Sequence, residues 1–198
     1  MTSPRNAHDM PMMRVIGQVQ QMYIIAEGPD GLYMIDQHAA HERVLYDEMM
    51  AQQHQTARQT LLEPVTVDLT PGQVALLEAE LEAITHAGFE VESFGGHTYR
   101  LRALPELLSQ ADPAKAFIDL LDAMMDGTTP LAKETHNKIA MIVCKRASIK
   151  GGQILSPEEM RELVRQLEST SAPRTCPHGR PTMIHLSMNE LGKLFGRH

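Results

Sequence analysis

A chain of 198 residues, 42% of them apolar, is long enough for one large domain or two small ones. Its formal net charge of −7 argues against a plain electrostatic DNA binder, and the lack of tryptophan against a base-stacking platform for single strands. No run approaches the length of a membrane span, and the first residues lack the basic and apolar regions of a signal peptide, so a cytoplasmic protein is expected.

The charge is uneven. Residues 1–137 hold 8 Lys/Arg and 20 Asp/Glu, a net of −12, whereas residues 138–198 hold 10 and 5, a net of +5. A mildly basic C-terminal part can meet phosphate while the rest stays acidic; random scatter of solubility charge reads the same way on this count. The two cysteines, Cys144 and Cys176, are read as reduced thiols or metal ligands rather than a disulfide.

In chain order, residues 1–13 are polar and Met-rich and read as a disordered lead-in. Arg14–Ala26 is strand-like, residues 28–31 (Gly-Pro-Asp-Gly) form a turn, and Leu32–Ile35 is a buried strand, so the two make a hairpin. Asp36 suits a helix N-cap, with the helix running from Gln37 to about Gln53. Pro64–Leu69 is strand-like. Thr70-Pro71 opens a helix that Gly88 closes. Phe89 and Val91, then Tyr99, Leu101 and Ala103, alternate with polar residues about a Gly95-Gly96 turn, giving a second hairpin. Asp112-Pro113 caps a helix lasting to Met125, and residues 126–130 are a break. A long helix spans about 131–149 and ends at Gly151-Gly152. Ser156-Pro157-Glu158-Glu159 is a capping box with proline at the first helical position, starting a helix over Pro157–Glu168. Residues 176–181 are too rich in Pro and Gly to be regular, and a short helix at Met188–Leu194 finishes the chain. The order predicts an α+β fold: a discontinuous α/β domain from 14–57 and 131–198, interrupted by a smaller α/β subdomain at 58–130.

Residues 36–48, DQHAAHERVLYDE, crowd metal-capable groups at the end of the buried strand. His38 and Glu42 are four apart and share a helix face, with Asp36 at its N-terminal end. Carboxylate and imidazole together suit Zn, Mn or Fe; a solvated helix face gives the same pattern. The order matches neither zinc-protease helix motif. Downstream, Cys176 and His178 lie two apart in a proline-stiffened turn and can face one ion. Cys144 supplies another thiol, or a small buried core residue. Asp36, His38, Glu42, Cys144, Cys176 and His178 together exceed what one tetrahedral zinc needs. They fit a two-metal site, the usual apparatus of phosphodiester hydrolysis, or one metal beside a catalytic pair.

Asp36-Gln37-His38-Ala39, two residues and Glu42 resemble the endonuclease motif of the MutL C-terminal domain family. The family pattern continues with four residues and a further Glu, where this chain has Asp47. Cys144-Lys145-Arg146 resembles the family's Ala-Cys-Arg/Lys helix motif with Val143 in the alanine place, Cys-Pro-His-Gly-Arg-Pro at 176–181 matches its C-P-H-G-R-P, and Phe195-Gly196-Arg197 its terminal F-x-R. The resemblance covers about residues 14–198. It implies a homodimer formed through the discontinuous domain, with the inserted unit regulatory. It also implies a Mn²⁺- or Mg²⁺-activated endonuclease that nicks double-stranded DNA, with zinc at the Cys/His cluster. Asp36 and Glu42 would hold the catalytic ion, His38, Cys144, Cys176 and His178 the zinc, and Arg180 and Arg197 would lie near phosphate. Gln59, Leu62 and Pro64 fit the family's segment that docks the replication sliding clamp; without the family they are an ordinary loop-to-strand stretch. The mismatch-recognition protein MutS is a further implied partner, with nucleoid association during repair. The competing expectation is a dimerisation and docking module with structural zinc and no catalysis.

Overall fold

The computed structural model describes residues 10–52, 56–126 and 135–197. The elements in order are β1 (Arg14–Val19), β2 (Tyr23–Gly28), β3 (Gly31–Asp36), α1 (Gln37–Ala51), β4 (Arg58–Asp68), α2 (Pro71–Ala79), α3 (Leu81–His86), β5 (Glu90–Gly95), β6 (Thr98–Pro105), α4 (Pro113–Met125), α5 (Thr135–Ala147), α6 (Pro157–Glu168), β7 (Met183–Ser187) and α7 (Met188–Leu194). The fold is α+β. The chain divides into two compact units, Met1–Asp47 with Ser148–His198, and Glu48–Ala147. The division falls outside 58–130 on both sides. The C-terminal shift has a packing reason: α5 lies against α3, α4 and the turn after β6, so it joins the second unit.

The first unit is built on an antiparallel sheet of order β1-β2-β3-β7. The stretch Arg14–Ala26, expected as one strand, is two. Gln20 and Gln21 adopt left-handed φ values of 53° and 54° and turn the chain between Val19 and its partner Tyr23. No glycine or asparagine marks that turn, so its signal is absent from the sequence. Gly31 sits at φ +144°, and a Cβ there would run into the Leu186 carbonyl, so only glycine lets β3 and β7 pair here. Strand β7 carries no strong turn or alternation signal and was not expected.

Alternation sorts the sheet's two faces. Ile24, Ala26, Tyr33 and Ile35 are buried against Ala40 and Val44 of α1 and Met160, Leu163, Val164 and Leu167 of α6. The capping box of α6 is present: Ser156 accepts from the Glu159 N–H while Glu159 reaches back to the Ser156 N–H. On the other face, Ile25, Met34 and Ile184 are neighbours across β2, β3 and β7, flanked by Tyr23, Leu32 and Leu186. These side chains are half-buried, and Ile184 is 52% exposed. Met10 and Met13, expected in a disordered lead-in, pack against the core; residues 1–9 lie outside the described residues.

The second unit holds an antiparallel sheet of order β4-β6-β5 and helices α2–α5. The helix expected from Thr70 to Gly88 starts with a Thr70–Gln73 capping box and breaks at Glu80 into α2 and α3. Asp112 caps α4 by accepting from the Lys115 N–H at 2.7 Å, and Phe117 of α4 packs on Phe89 with ring centres 5.6 Å apart. Ile139, Val143 and Cys144 of α5 are buried. Most of the expected break at 126–130 and the start of the following helix, residues 127–134, lie outside the described residues, as does Gln53.

Candidate metal centre

Helix α1 begins where β3 ends, and Asp36 makes the join. Its Oδ1 accepts from the His38 N–H at 2.9 Å and the Ala39 N–H at 3.0 Å, which satisfies two orphan donors of the first turn. The Asp36 N–H donates to the Thr182 carbonyl at 2.9 Å, tying the helix start to the chain after the Cys176 turn.

That turn is tightly specified. The Gly179 N–H donates to the Cys176 carbonyl at 2.9 Å, with Pro177 at the position where its fixed φ suits a β-turn, and Gly179 at φ +82°. The Cys176 N–H donates to the Arg180 carbonyl at 2.8 Å, and Thr182 bonds back to Pro173 and Arg174. Cys176 and His178 therefore emerge from one rigid loop.

Among the described residues, Glu42, Cys176 and His178 present ligand atoms that all lie within 4.8 Å of one another. Glu42 is 3% exposed and Cys176 2%. Glu42 Oε1 lies 2.9 Å from His178 Nδ1, an ion-pair distance. A buried carboxylate without a positive partner is costly, which favours the charged imidazole. Hydrogen bonding to the Cys176 thiol, then to Glu42, raises the His178 pKa to about 9. Burial opposes ionisation of the Cys176 thiol, but hydrogen bonds from the His178 side chain and from the Arg180 and His178 backbone outweigh it, so the thiol titrates below its usual value. In the metal-free centre the protonated His178 therefore supplies the positive charge beside Glu42. A thiolate, a carboxylate and an imidazole are a zinc donor set, so these residues fit a divalent ion.

His38, expected beside Glu42, has its Nδ1 2.8 Å from the Ile149 carbonyl and 3.0 Å from Ser148 Oγ. An Nδ1–H donated to that carbonyl leaves the lone pair on Nε2, the tautomer a ligand needs. His41 accepts the Ile149 N–H on its own Nδ1 at 2.9 Å. Burial, then the nearby His38 and Lys150, lower its pKa to about 4, so it stays neutral. The two histidines hold both backbone groups of Ile149. Gln37, wholly buried, donates to the Gln21 carbonyl at 2.7 Å and the Gln153 carbonyl at 3.1 Å. These anchoring roles have no sequence signal beyond proximity to the motif.

Cys144 lies on α5 of the second unit; neither cysteine forms a disulfide. Arg180 and Arg197 are exposed, with no acidic partner within 4 Å among the described residues. Gln59, Leu62 and Pro64 lie in edge strand β4, which begins earlier than the expected Pro64. Gln59 pairs with Leu104, Leu62 and Pro64 fall inside the register shift between Thr60 and Val65, and Leu62 is fully exposed.

Residues 16–155 match the family profile described as the MutL C terminal dimerisation domain. The chain is 39% identical to a DNA mismatch repair protein MutL of Symbiobacterium thermophilum over 203 residues, covering 98% of this chain and 32% of the relative. It is 39% identical to that of Methanoculleus marisnigri over 191 residues (95% and 32%) and 37% identical to that of Methanothrix thermoacetophila over 188 residues (94% and 34%). The chain spans about a third of the length of these curated relatives. With its match to the profile and its identity to these proteins over nearly its whole length, the chain belongs to the MutL C-terminal dimerisation domain family.

Proposed function

We propose that this chain is the homodimeric, metal-dependent DNA-nicking domain of a mismatch-repair protein. The observation that carries the reading is the buried Glu42 carboxylate set against Cys176 and His178, with the three ligand atoms within 4.8 Å of one another. Zn²⁺ there, with Mn²⁺ or Mg²⁺ beside it, would lower the pKa of a bound water and neutralise charge developing on a phosphodiester. Glu42 holds an anionic ligand in place from a helix face, and the rigid loop fixes Cys176 and His178 opposite it. Asp36 keeps its Oδ2 clear of the helix cap and is the second acidic group offered to a catalytic ion. His38 offers Nε2, and Cys144 is carried as a ligand by the family resemblance alone. Arg180 and Arg197 meet phosphate. Weak intrinsic affinity for double-stranded DNA, expected from the net charge of −7, would be supplemented by the replication sliding clamp through Gln59, Leu62 and Pro64, and by MutS.

Supercoiled plasmid with Mn²⁺ tests the reading. Wild type converts it to open circles, more so with clamp, and Asp36→Asn does not. Equal, negligible nicking by both, with clamp supplied, sinks the enzyme.

The second reading, a dimerisation and docking module with structural zinc, is favoured by the apolar sheet face of Ile25, Met34 and Ile184. A second copy on that face would bury it. Dimerisation without nicking selects this reading.

A further inference from the structure

Resting on the zinc reading of Glu42, Cys176 and His178, we infer that Arg43 and Asp47 are positioning residues that clamp the Cys176–His178 loop onto α1. Asp47 occupies the place of the last carboxylate in the motif, which invites a ligand role. Both its oxygens are otherwise engaged. Oδ1 accepts from Arg43 Nη1 at 3.0 Å, one turn earlier on the same helix, and Oδ2 accepts from the Ser171 N–H at 2.5 Å. Arg43 in turn donates from Nε to the Thr175 carbonyl at 2.7 Å. Its guanidinium lies 5.5 Å from the ring centre of Tyr46.

The contacts bracket one segment. Ser171 and Thr175 stand five and one residues before Cys176, so both ends of the approach to the loop are fastened to α1. Glu42 is the residue next to Arg43 on that helix. Its buried carboxylate must meet two groups from a loop more than a hundred residues away, and the loop's internal bonds fix its shape but not its place. Arg43 is 9% exposed, and the Asp47 side chain 19%. In that partly desolvated setting an ion pair whose remaining valences go to backbone groups is geometrically demanding, unlike a solvated surface pair. Asp, one methylene shorter than Glu, reaches the Ser171 N–H from this turn of the helix.

The test uses the purified chain with two readouts: hydrogen exchange of residues 171–178 in zinc-free protein, and zinc affinity by competition with a chromophoric chelator. Asp47→Ala and Arg43→Met speed exchange in that segment and weaken zinc binding about 10-fold, the usual effect of losing an outer-shell support. Asp47→Asn, which keeps one acceptor oxygen but turns an amide N–H toward the other donor, recovers only part of both. Arg43→Lys, without a planar fork for two directions, recovers neither. Wild-type exchange and affinity in Asp47→Ala and Arg43→Met overturn the inference. If either fails to fold, Asp47→Asn and Arg43→Lys decide, and identical wild-type behaviour in both overturns it. Glu42→Gln and Cys176→Ser separate the two claims. Unchanged zinc affinity in those variants ends the zinc reading, whereas loss there with none in the Arg43 and Asp47 variants ends only the positioning role.

Discussion

His178 is the residue whose protonation reports on the whole centre. Its folded pKa of about 9 lies above the ordinary 6.5 because Cys176 and Glu42 favour the imidazolium. In metal-free protein this contributes stability that is fully present below pH 6.5 and is lost as pH rises through 9. Chelator-treated chain therefore melts at progressively lower temperature between pH 6.5 and 9, and His178→Gln flattens that slope. A parallel decline in both proteins would refute it. Zinc competes for the same imidazole, so its affinity moves the opposite way and strengthens with pH over that window, as a titration at pH 6.5 and 8 will show. At this scale the sequence was readable where chemistry is rare: Cys176 stands out as one of two thiols, and His178 lies two residues on in the same proline-flanked turn. Glu42, by contrast, is one of 25 acidic residues and is singled out only by its spacing from His38. The roles of His41 and Asp47 were not readable, because each depends on which backbone group of a distant segment comes within 3 Å.

At the level of elements, caps and strand ends carry the predictable energetics. The α6 capping box satisfies two orphan donors, so Ser156→Ala is expected to cost about 1 kcal/mol of stability by urea denaturation. Gly31→Ala meets both an unfavourable φ of +144° and the Leu186 carbonyl, and should cost about 1–3 kcal/mol or more while loosening β7, visible as faster exchange of the Met183–Ser187 amides. A Gly31→Ala protein as stable as wild type would contradict that pairing. Helices α4, α6 and α7 were legible to the residue or nearly so because Asp112-Pro113, Ser156-Pro157 and the residues around Ser187 write their own starts. The turn at Gln20-Gln21 and the break at Glu80 were not, since ordinary polar residues take those conformations only under constraint from neighbouring elements.

For the whole molecule, the two-faced sheet is the decisive feature. One face supports α1 and α6, and hence the metal centre; the other is apolar and open in a single copy. If a second copy covers it, Met34→Lys places an unpaired charge at the buried interface and weakens the dimer by about 3 kcal/mol, more than about 100-fold, measurable by sedimentation equilibrium. Wild-type self-association in that variant would move the interface elsewhere.

Local chemistry was enough to specify most elements and the α+β class, because capping and turn residues act over a few neighbouring positions. It could not say that the sheet has a fourth strand, that Asp47 braces a loop instead of facing the cluster, or which face of the sheet stays open. Those depend on long-range register and on backbone groups with no residue identity, which acquire partners only when distant segments pack together.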